Sequence, residues 1–108
     1  MTKKTGKSGK KSLYRHETHI FAGLLRDTRL RAELSQMELV EALDMTQTFA
    51  SDAERGSRRL DIVQIRDWCI LCGTTLPAFI AEFEERLVDP AYAKRRETDG
   101  RKRSAGKK

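Results

Sequence analysis

The segment 35–56, SQMELVEALDMTQTFASDAERG, contains the start and stop signals of two short helices. An N-cap serine followed three residues later by a glutamate forms a capping box, which predicts a helix over 36–43. Thr46 can cap a second helix over 47–55, and Gly56 is placed to end it. The connection between the two helices is therefore only three residues long.

Helices joined by so short a connection cross steeply, and small residues are expected where they touch. The segment provides three alanines for this contact: Ala42, Ala50 and Ala53. Such a pair has the layout of a helix-turn-helix, in which the second helix lies in the major groove of DNA and the first crosses the backbone. Similar corners also occur in helical bundles that bind no DNA.

Apolar residues at helical spacing continue on both sides of this segment. They predict further helices at about 17–32, 62–72 and 76–87. No stretch alternates with the period of a β-strand for long enough to predict one. The sequence therefore predicts a compact all-α domain of five helices within residues 16–93.

The net charge of +6 is distributed unevenly along the 108 residues. Residues 1–15 and 94–108 each carry +6, whereas residues 16–93 carry −6. Both ends are nearly free of apolar side chains, so they are expected to be disordered basic tails. No apolar run approaches the ~18–20 residues of a membrane span, and no signal-peptide pattern is found. A cytoplasmic protein is expected, because two cysteines without a secretory signal fit a reducing compartment. A DNA-binding role would place it at the nucleoid.

A series of residues between about 24 and 83 matches a known pattern. The matching residues are Leu34-Ser35-Gln36, Glu38-Leu39, Leu43, Thr46-Gln47, Glu54-Arg55-Gly56, Arg59-Leu60-Asp61 and Gly73. On these residues the chain resembles the Cro/repressor-type helix-turn-helix family, also called the XRE family, of bacterial and phage transcription regulators. The resemblance implies a lambda-repressor-like fold and a sequence-specific regulator that binds double-stranded DNA as a homodimer, with repression as the expected effect. No enzymatic activity, cofactor or metal site is expected.

The resemblance also implies roles for individual residues. Base contacts are implied for Gln47, Thr48, Ser51 and Asp52, where a glutamine can pair with adenine and a threonine with a base or a thymine methyl group. Phosphate contacts are implied for Gln36, Arg55, Arg58 and Arg59. A partly buried structural ion pair between the first and third helices is implied for Arg29 and Glu54. A merely solvated role stays open for Gln36 and for the three arginines of the phosphate set.

Three features depart from the family pattern. Asp52 places a carboxylate where the family often has Lys, Gln or Arg, and only a cytosine N4 donor or a nearby arginine would favour it there. Glu33 and Asp44 occupy turn positions where the family commonly has glycine, so altered or strained turns are expected. Phe49 is expected to be exposed, packing on a thymine methyl group, a neighbouring helix or a partner protein.

Cys69 and Cys72 form a C-x-x-C pattern, which elsewhere marks redox or zinc sites. They lie at the end of their predicted helix on the same apolar side as Ile62, so core thiols are expected instead. Trp68 is expected in the core, with a dimer surface as the alternative. The fifth helix, or the surface around Trp68 and Phe79, is the expected dimer face.

Two other functions stay open from the sequence. The first is a protein-interaction module of antitoxin-like or anti-repressor-like type, which the charge of −6 over residues 16–93, Asp52 and Phe49 would favour. The second is a non-specific DNA or RNA binder that acts through its tails alone. Such a binder would show a steep salt dependence and no base preference.

Overall fold

The computed structural model describes residues 15–93, and the regular structure in that range is entirely helical. Its helices are α1 (His16–Arg31), α2 (Gln36–Leu43), α3 (Gln47–Arg55), α4 (Ile62–Leu71), α5 (Leu76–Val88) and α6 (Pro90–Ala93). The first five begin and end within one residue of the predicted helices, so the all-α prediction is confirmed. The expected tails, 1–15 and 94–108, lie outside the described residues apart from Arg15.

The short helix α6 was not predicted. It is a single turn, and Asp89 begins it by accepting a hydrogen bond from the backbone N–H of Ala91 at 2.9 Å. One turn is too short to show an apolar periodicity, so the sequence pattern gives no sign of it.

Polar caps account for where the helices begin. Ser35 Oγ accepts the backbone N–H of Glu38 at 3.0 Å, and the Glu38 carboxylate accepts that of Ser35 at 2.8 Å. Asp61 and Gln64 form a second capping box at the start of α4, with both bonds at 2.8 Å. Thr46 caps α3 by accepting the N–H of the third residue of that helix at 3.0 Å. Each cap satisfies backbone donors that a helix N-terminus leaves without partners.

The turns at Glu33 and Asp44 keep the left-handed backbone conformation that glycine favours. Their φ angles are 61° and 56°, close to the ideal left-handed value. The turns therefore keep this geometry without glycine. The left-handed conformation has a free-energy cost at each of these two residues. For a residue with a Cβ atom that cost is roughly 1–2 kcal/mol, and less for a short polar side chain such as aspartate.

The core lies between the first five helices: α1 packs against α3 and α5, and α2 and α4 close the other side. Its largest fully buried side chains are Trp68, Leu24, Leu25, Leu39 and Cys69. Trp68 is central, and its Nε1–H donates a hydrogen bond to the carbonyl oxygen of Leu25 at 3.2 Å. The prediction of a core tryptophan is thus confirmed. Of the two expected dimer faces, the surface around Trp68 and Phe79 is wrong, because these side chains are 0% and 2% exposed. The other, the fifth helix, stays a prediction.

Helix α5 is fastened to α1 by both apolar and charged contacts. Phe21 of α1 packs edge-on against Phe79 and Phe83, with ring centroids 5.6 and 5.9 Å apart. At the end of α1, Arg31 donates two hydrogen bonds, of 2.9 and 2.7 Å, to the Glu82 carboxylate. These contacts fix α1 against α5, and α1 also packs against α3.

Two apolar side chains lie elsewhere than predicted. Ala42 is exposed on α2, because Leu39 and Val40 already fill the side that meets the core, whereas Ala50 and Ala53 are buried as expected. Ile62 is 57% exposed rather than inward-facing. It is the first residue of α4, and side chains in a helix point back toward its N-terminus, so this one extends past the edge of the core.

The two cysteines are core thiols, as predicted. Cys69 is fully buried and Cys72 half-buried, and neither forms a disulfide. Burial raises the pKa of both thiols, that of Cys72 to about 11 with a further contribution from the adjacent Cys69. A thiol with a raised pKa is a poor nucleophile, so these residues serve packing. Within residues 15–93 no helix combines the length and apolar character needed to cross a bilayer.

Candidate nucleic-acid interface

Helix α3 is buried along one narrow side and open on the other. Ala50, Ala53 and Glu54 face α1 and α2, and the small alanines let α3 pack closely there. The open side presents four polar side chains around a shallow groove of about 220 Å³: Gln47, Thr48, Ser51 and Arg55. The structure thus brings together three of the side chains assigned to base contacts and one assigned to phosphate.

A chain of polar contacts connects α1 with the first residue of α3. Arg29 donates to both oxygens of the Glu54 carboxylate, at 2.7 and 3.0 Å. Gln36 Nε2 donates to the same carboxylate at 3.1 Å, and Gln47 Nε2 donates to Gln36 Oε1 at 3.3 Å. The orientation of the Gln47 amide is therefore coupled, through Gln36, to an ion pair in the interior.

The ion pair at the base of this chain is well enclosed. The side chains of Arg29 and Glu54 are 9% and 4% exposed, and the hydrogen bonds to Glu54 raise the pKa of Arg29. A third donor of Arg29 reaches the carbonyl oxygen of Leu34 at 2.8 Å. Such a pair is favourable only when geometry and further hydrogen bonds compensate for desolvation, and both conditions hold here. The same guanidinium thus fixes α1, α3 and the turn before α2.

Gln36, assigned to a phosphate, lies half-buried in the first turn of α2. One of its amide N–H groups points to Glu54, and its oxygen accepts from Gln47. A primary amide has a second N–H donor, and the helix N-terminus beside it favours an anion. Gln36 can therefore hold Gln47 and donate to an anion at the same time.

Asp52 does not present an uncompensated charge on α3. Arg55 donates one hydrogen bond to the Asp52 carboxylate and another to Ser51 Oγ, the latter at 2.7 Å. A neighbouring arginine is one of the two partners that could accommodate this carboxylate, and the structure provides it. The Arg55 side chain is 64% exposed, so it remains able to exchange this partner for a phosphate.

Phe49 is half-buried rather than exposed, because the loop after α3 returns over it. The loop leaves α3 through Gly56, at φ 85°, and Ser57 donates its backbone N–H to the carbonyl oxygen of Asp52 at 2.9 Å. This reversal places the Arg58 guanidinium over the Phe49 ring, 5.0 Å from its centroid. The expected exposure of Phe49 is thus corrected, and its cover is a cation at the end of α3.

The arginines assigned to phosphates are at the far end of α3. Arg58 and Arg59 are exposed in the loop that precedes α4, and Arg55 lies in the last turn of the helix. Gln36 is at the other end, beside Gln47. Donors to an anionic backbone therefore flank both ends of the polar face of α3.

Comparison with known proteins agrees with this architecture. A family model described as a helix-turn-helix domain matches residues 20–83, which is more than half of the chain. The match begins in α1 and ends in α5, so it includes α2, the turn and α3. A search of curated proteins found no match. On the family match, supported by the geometry of α2 and α3, the chain belongs to the helix-turn-helix domain family.

Proposed function

We propose that this protein is a sequence-specific, double-stranded-DNA-binding transcriptional regulator of the Cro/repressor (XRE) type, with α3 in the major groove. One observation carries the proposal: the open side of α3 presents Gln47, Thr48 and Ser51 together, on a helix held firmly from behind. Neutral donors and acceptors at the start of a recognition helix are the groups that read base edges.

Pre-organisation of Gln47 supports the same proposal. A glutamine that reads adenine needs its amide plane fixed, because the paired contact uses both the oxygen and the nitrogen. The hydrogen bond between Gln47 and Gln36 limits the rotation of both amides before any DNA is bound. Less side-chain entropy is then lost on binding.

The backbone contacts are proposed at the two ends of α3. Gln36 would donate to a phosphate at one end, and Arg55, Arg58 and Arg59 at the other. The segments 1–15 and 94–108, each with a charge of +6, would add sequence-independent attraction to the backbone.

Homodimeric binding and repression complete the proposal. One helix-turn-helix reads only a few base pairs, and two half-sites ~34 Å apart are the common way to gain specific affinity. Occupying such a site excludes a competing protein from the same DNA, which makes repression the proposed effect. The proposal requires no cofactor and assigns no catalytic activity.

The charge of −6 over residues 16–93 still favours a second candidate, a protein-interaction module with weak or tail-driven DNA binding. Two of the three features behind that candidate have partners within the domain, however. Asp52 is paired with Arg55, and Phe49 is covered by Arg58. Neither the Asp52 carboxylate nor the Phe49 ring is therefore left on α3 as an unpaired contact for a partner protein.

A selection from random duplexes, followed by a competition titration at ~0.15 M salt, tests the proposal. We expect the selected duplex to bind at least ~1,000-fold more tightly than random duplex. Gln47→Ala should weaken binding to the selected duplex ~5- to 150-fold while leaving the affinity for random duplex unchanged. Arg26→Ala, an exposed change on α1, is the matched control. Equal affinities for both duplexes would refute sequence-specific regulation.

A further inference from the structure

The outward side of α4 has an exposed apolar line. Val63 and Ile70 are 62% and 51% exposed, and they are seven residues apart. At 3.6 residues per turn this spacing places them on the same side of the helix, about two turns apart. Trp68 and Cys69, which anchor α4 in the core, are fully buried on the opposite side.

Two opposite charges flank this apolar line. Arg66 and Asp67 are both exposed on α4, between Val63 and Ile70. At about 100° per residue, they lie about 50° to either side of the line. Neither side chain has an ion-pair partner among residues 15–93, in contrast to the paired charges on α1, α3 and α5.

We propose that this side of α4, formed by Val63, Arg66, Asp67 and Ile70, is the contact between two copies of the chain, with the two α4 helices packed side by side in the same direction. The inference rests on the homodimer of the proposed function and identifies its surface. The occupant is a second copy because the surface is complementary to itself.

Symmetry determines the direction of packing. A two-fold axis parallel to the helices brings one flank of α4 against the opposite flank of its partner, so Arg66 faces the partner's Asp67, and Asp67 faces the partner's Arg66. An antiparallel pair brings each flank against the same flank, so that Arg66 would face the partner's Arg66. Only the parallel pair joins opposite charges around the apolar line, and it does so twice.

The area involved indicates how strong the contact is. One face of a ten-residue helix buries much less than the ~800 Å² per partner of a stable interface. We therefore expect a weak dimer in solution, with a dissociation constant on the order of 10 µM or above. Two adjacent half-sites on one duplex would raise the effective concentration and complete the assembly.

Sedimentation velocity of the full chain without DNA tests the surface. Arg66→Asp and Asp67→Arg should each raise the dimer dissociation constant at least ~10-fold, because each creates two like-charge contacts. The exchanged variant, Arg66→Asp with Asp67→Arg, should restore it to within ~3-fold. Arg26→Asp makes the same charge change on an exposed part of α1 and should leave the association unchanged.

Several outcomes would overturn the proposal. These are a wild-type chain that stays monomeric to ~1 mM, single variants that associate normally, and an exchanged variant that stays monomeric. Variants with a lower melting temperature and unaltered association would show that a segment of the same chain covers this face. Binding to a duplex with one half-site separates the two proposals. A wild-type monomer that binds this duplex leaves the DNA-binding proposal intact even when the dimer surface fails.

Discussion

Replacing Glu54 by glutamine tests whether the interior ion pair supports the recognition helix. The change keeps the shape of the side chain but leaves the Arg29 guanidinium, only 9% exposed, without its counter-charge. Removing one partner from a buried, hydrogen-bonded pair costs about 3–5 kcal/mol. A domain of this size has a total stability of only ~5–15 kcal/mol, so the loss is a large part of it.

Urea unfolding followed by circular dichroism measures this loss directly. Glu54→Gln should lower the free energy of unfolding by about 3 kcal/mol or more, with an unchanged m-value. The double variant Arg29→Met with Glu54→Leu removes the uncompensated charge and should recover part of the loss. The recovery is incomplete because the Leu34 carbonyl and the Gln36 amide lose their partners. A decrease below ~1 kcal/mol for Glu54→Gln would refute the assignment of a stability-critical buried pair.

The same double variant separates stability from function. Without Glu54, Gln36 loses the acceptor that orients it, and Gln47 loses its fixed partner. The affinity of the double variant for the selected duplex should therefore fall, while its affinity for random duplex should be unchanged. A double variant that is stable and retains full specificity would show that Gln47 is positioned by other contacts.

Three further predictions concern single side chains. Glu33→Gly should raise the free energy of unfolding by about 0.5–1 kcal/mol, since relief of the left-handed φ outweighs the entropy of glycine, whereas Glu33→Ala should not; equal stabilities of the two in urea would contradict this. Asp52→Asn should strengthen binding to random duplex about fivefold, because it releases Arg55 and removes the repulsion between a carboxylate and a phosphate, which is ~1 kcal/mol at ~4 Å in water. An unchanged affinity in fluorescence anisotropy titrations would count against it. The Arg31 guanidinium lowers the pKa of the Glu82 carboxylate in the folded chain, so the unfolded chain takes up this proton first as pH falls. The stability that the pair contributes is therefore present above the ordinary pKa of 4.5 and is lost as pH falls through the lower folded value. Glu82→Gln should flatten the decline of melting temperature in that range, and an equally steep decline would refute the role of this pair.

The helices could be predicted from the sequence because their boundaries are set locally. Ser35, Thr46 and Asp61 each cap a helix by bonding to a backbone group three residues away. Such contacts depend on spacing in the sequence and on no other part of the fold. The helix bounds, the turn and the buried alanines of α3 follow from the same kind of local pattern.

Apart from the Arg29–Glu54 ion pair, which the family resemblance implied, the contacts that orient the site could not be predicted, because they depend on how helices cross. Gln36 and Glu54 are 18 residues apart, and only the angle between α2 and α3 brings the amide to the carboxylate. The stacking of Arg58 on Phe49 likewise depends on the path of the loop after Gly56. Helical periodicity specifies the side of a helix on which a residue lies, but not its partner across an interface.

In the proposed complex, the paired charges on α3 would allow a domain of negative net charge to approach DNA. Arg55 neutralises Asp52, and Arg29 neutralises Glu54 in the interior, so the acidic residues of α3 contribute little negative field toward the groove. What remains on that side is neutral and polar, with arginines after the helix. The net positive charge of the chain comes from segments 1–15 and 94–108, which carry +6 each, whereas residues 16–93 carry −6. Under the proposed function, the attraction of these end segments to the DNA backbone would be sequence-independent, whereas hydrogen bonds from α3 to base edges would discriminate between sequences.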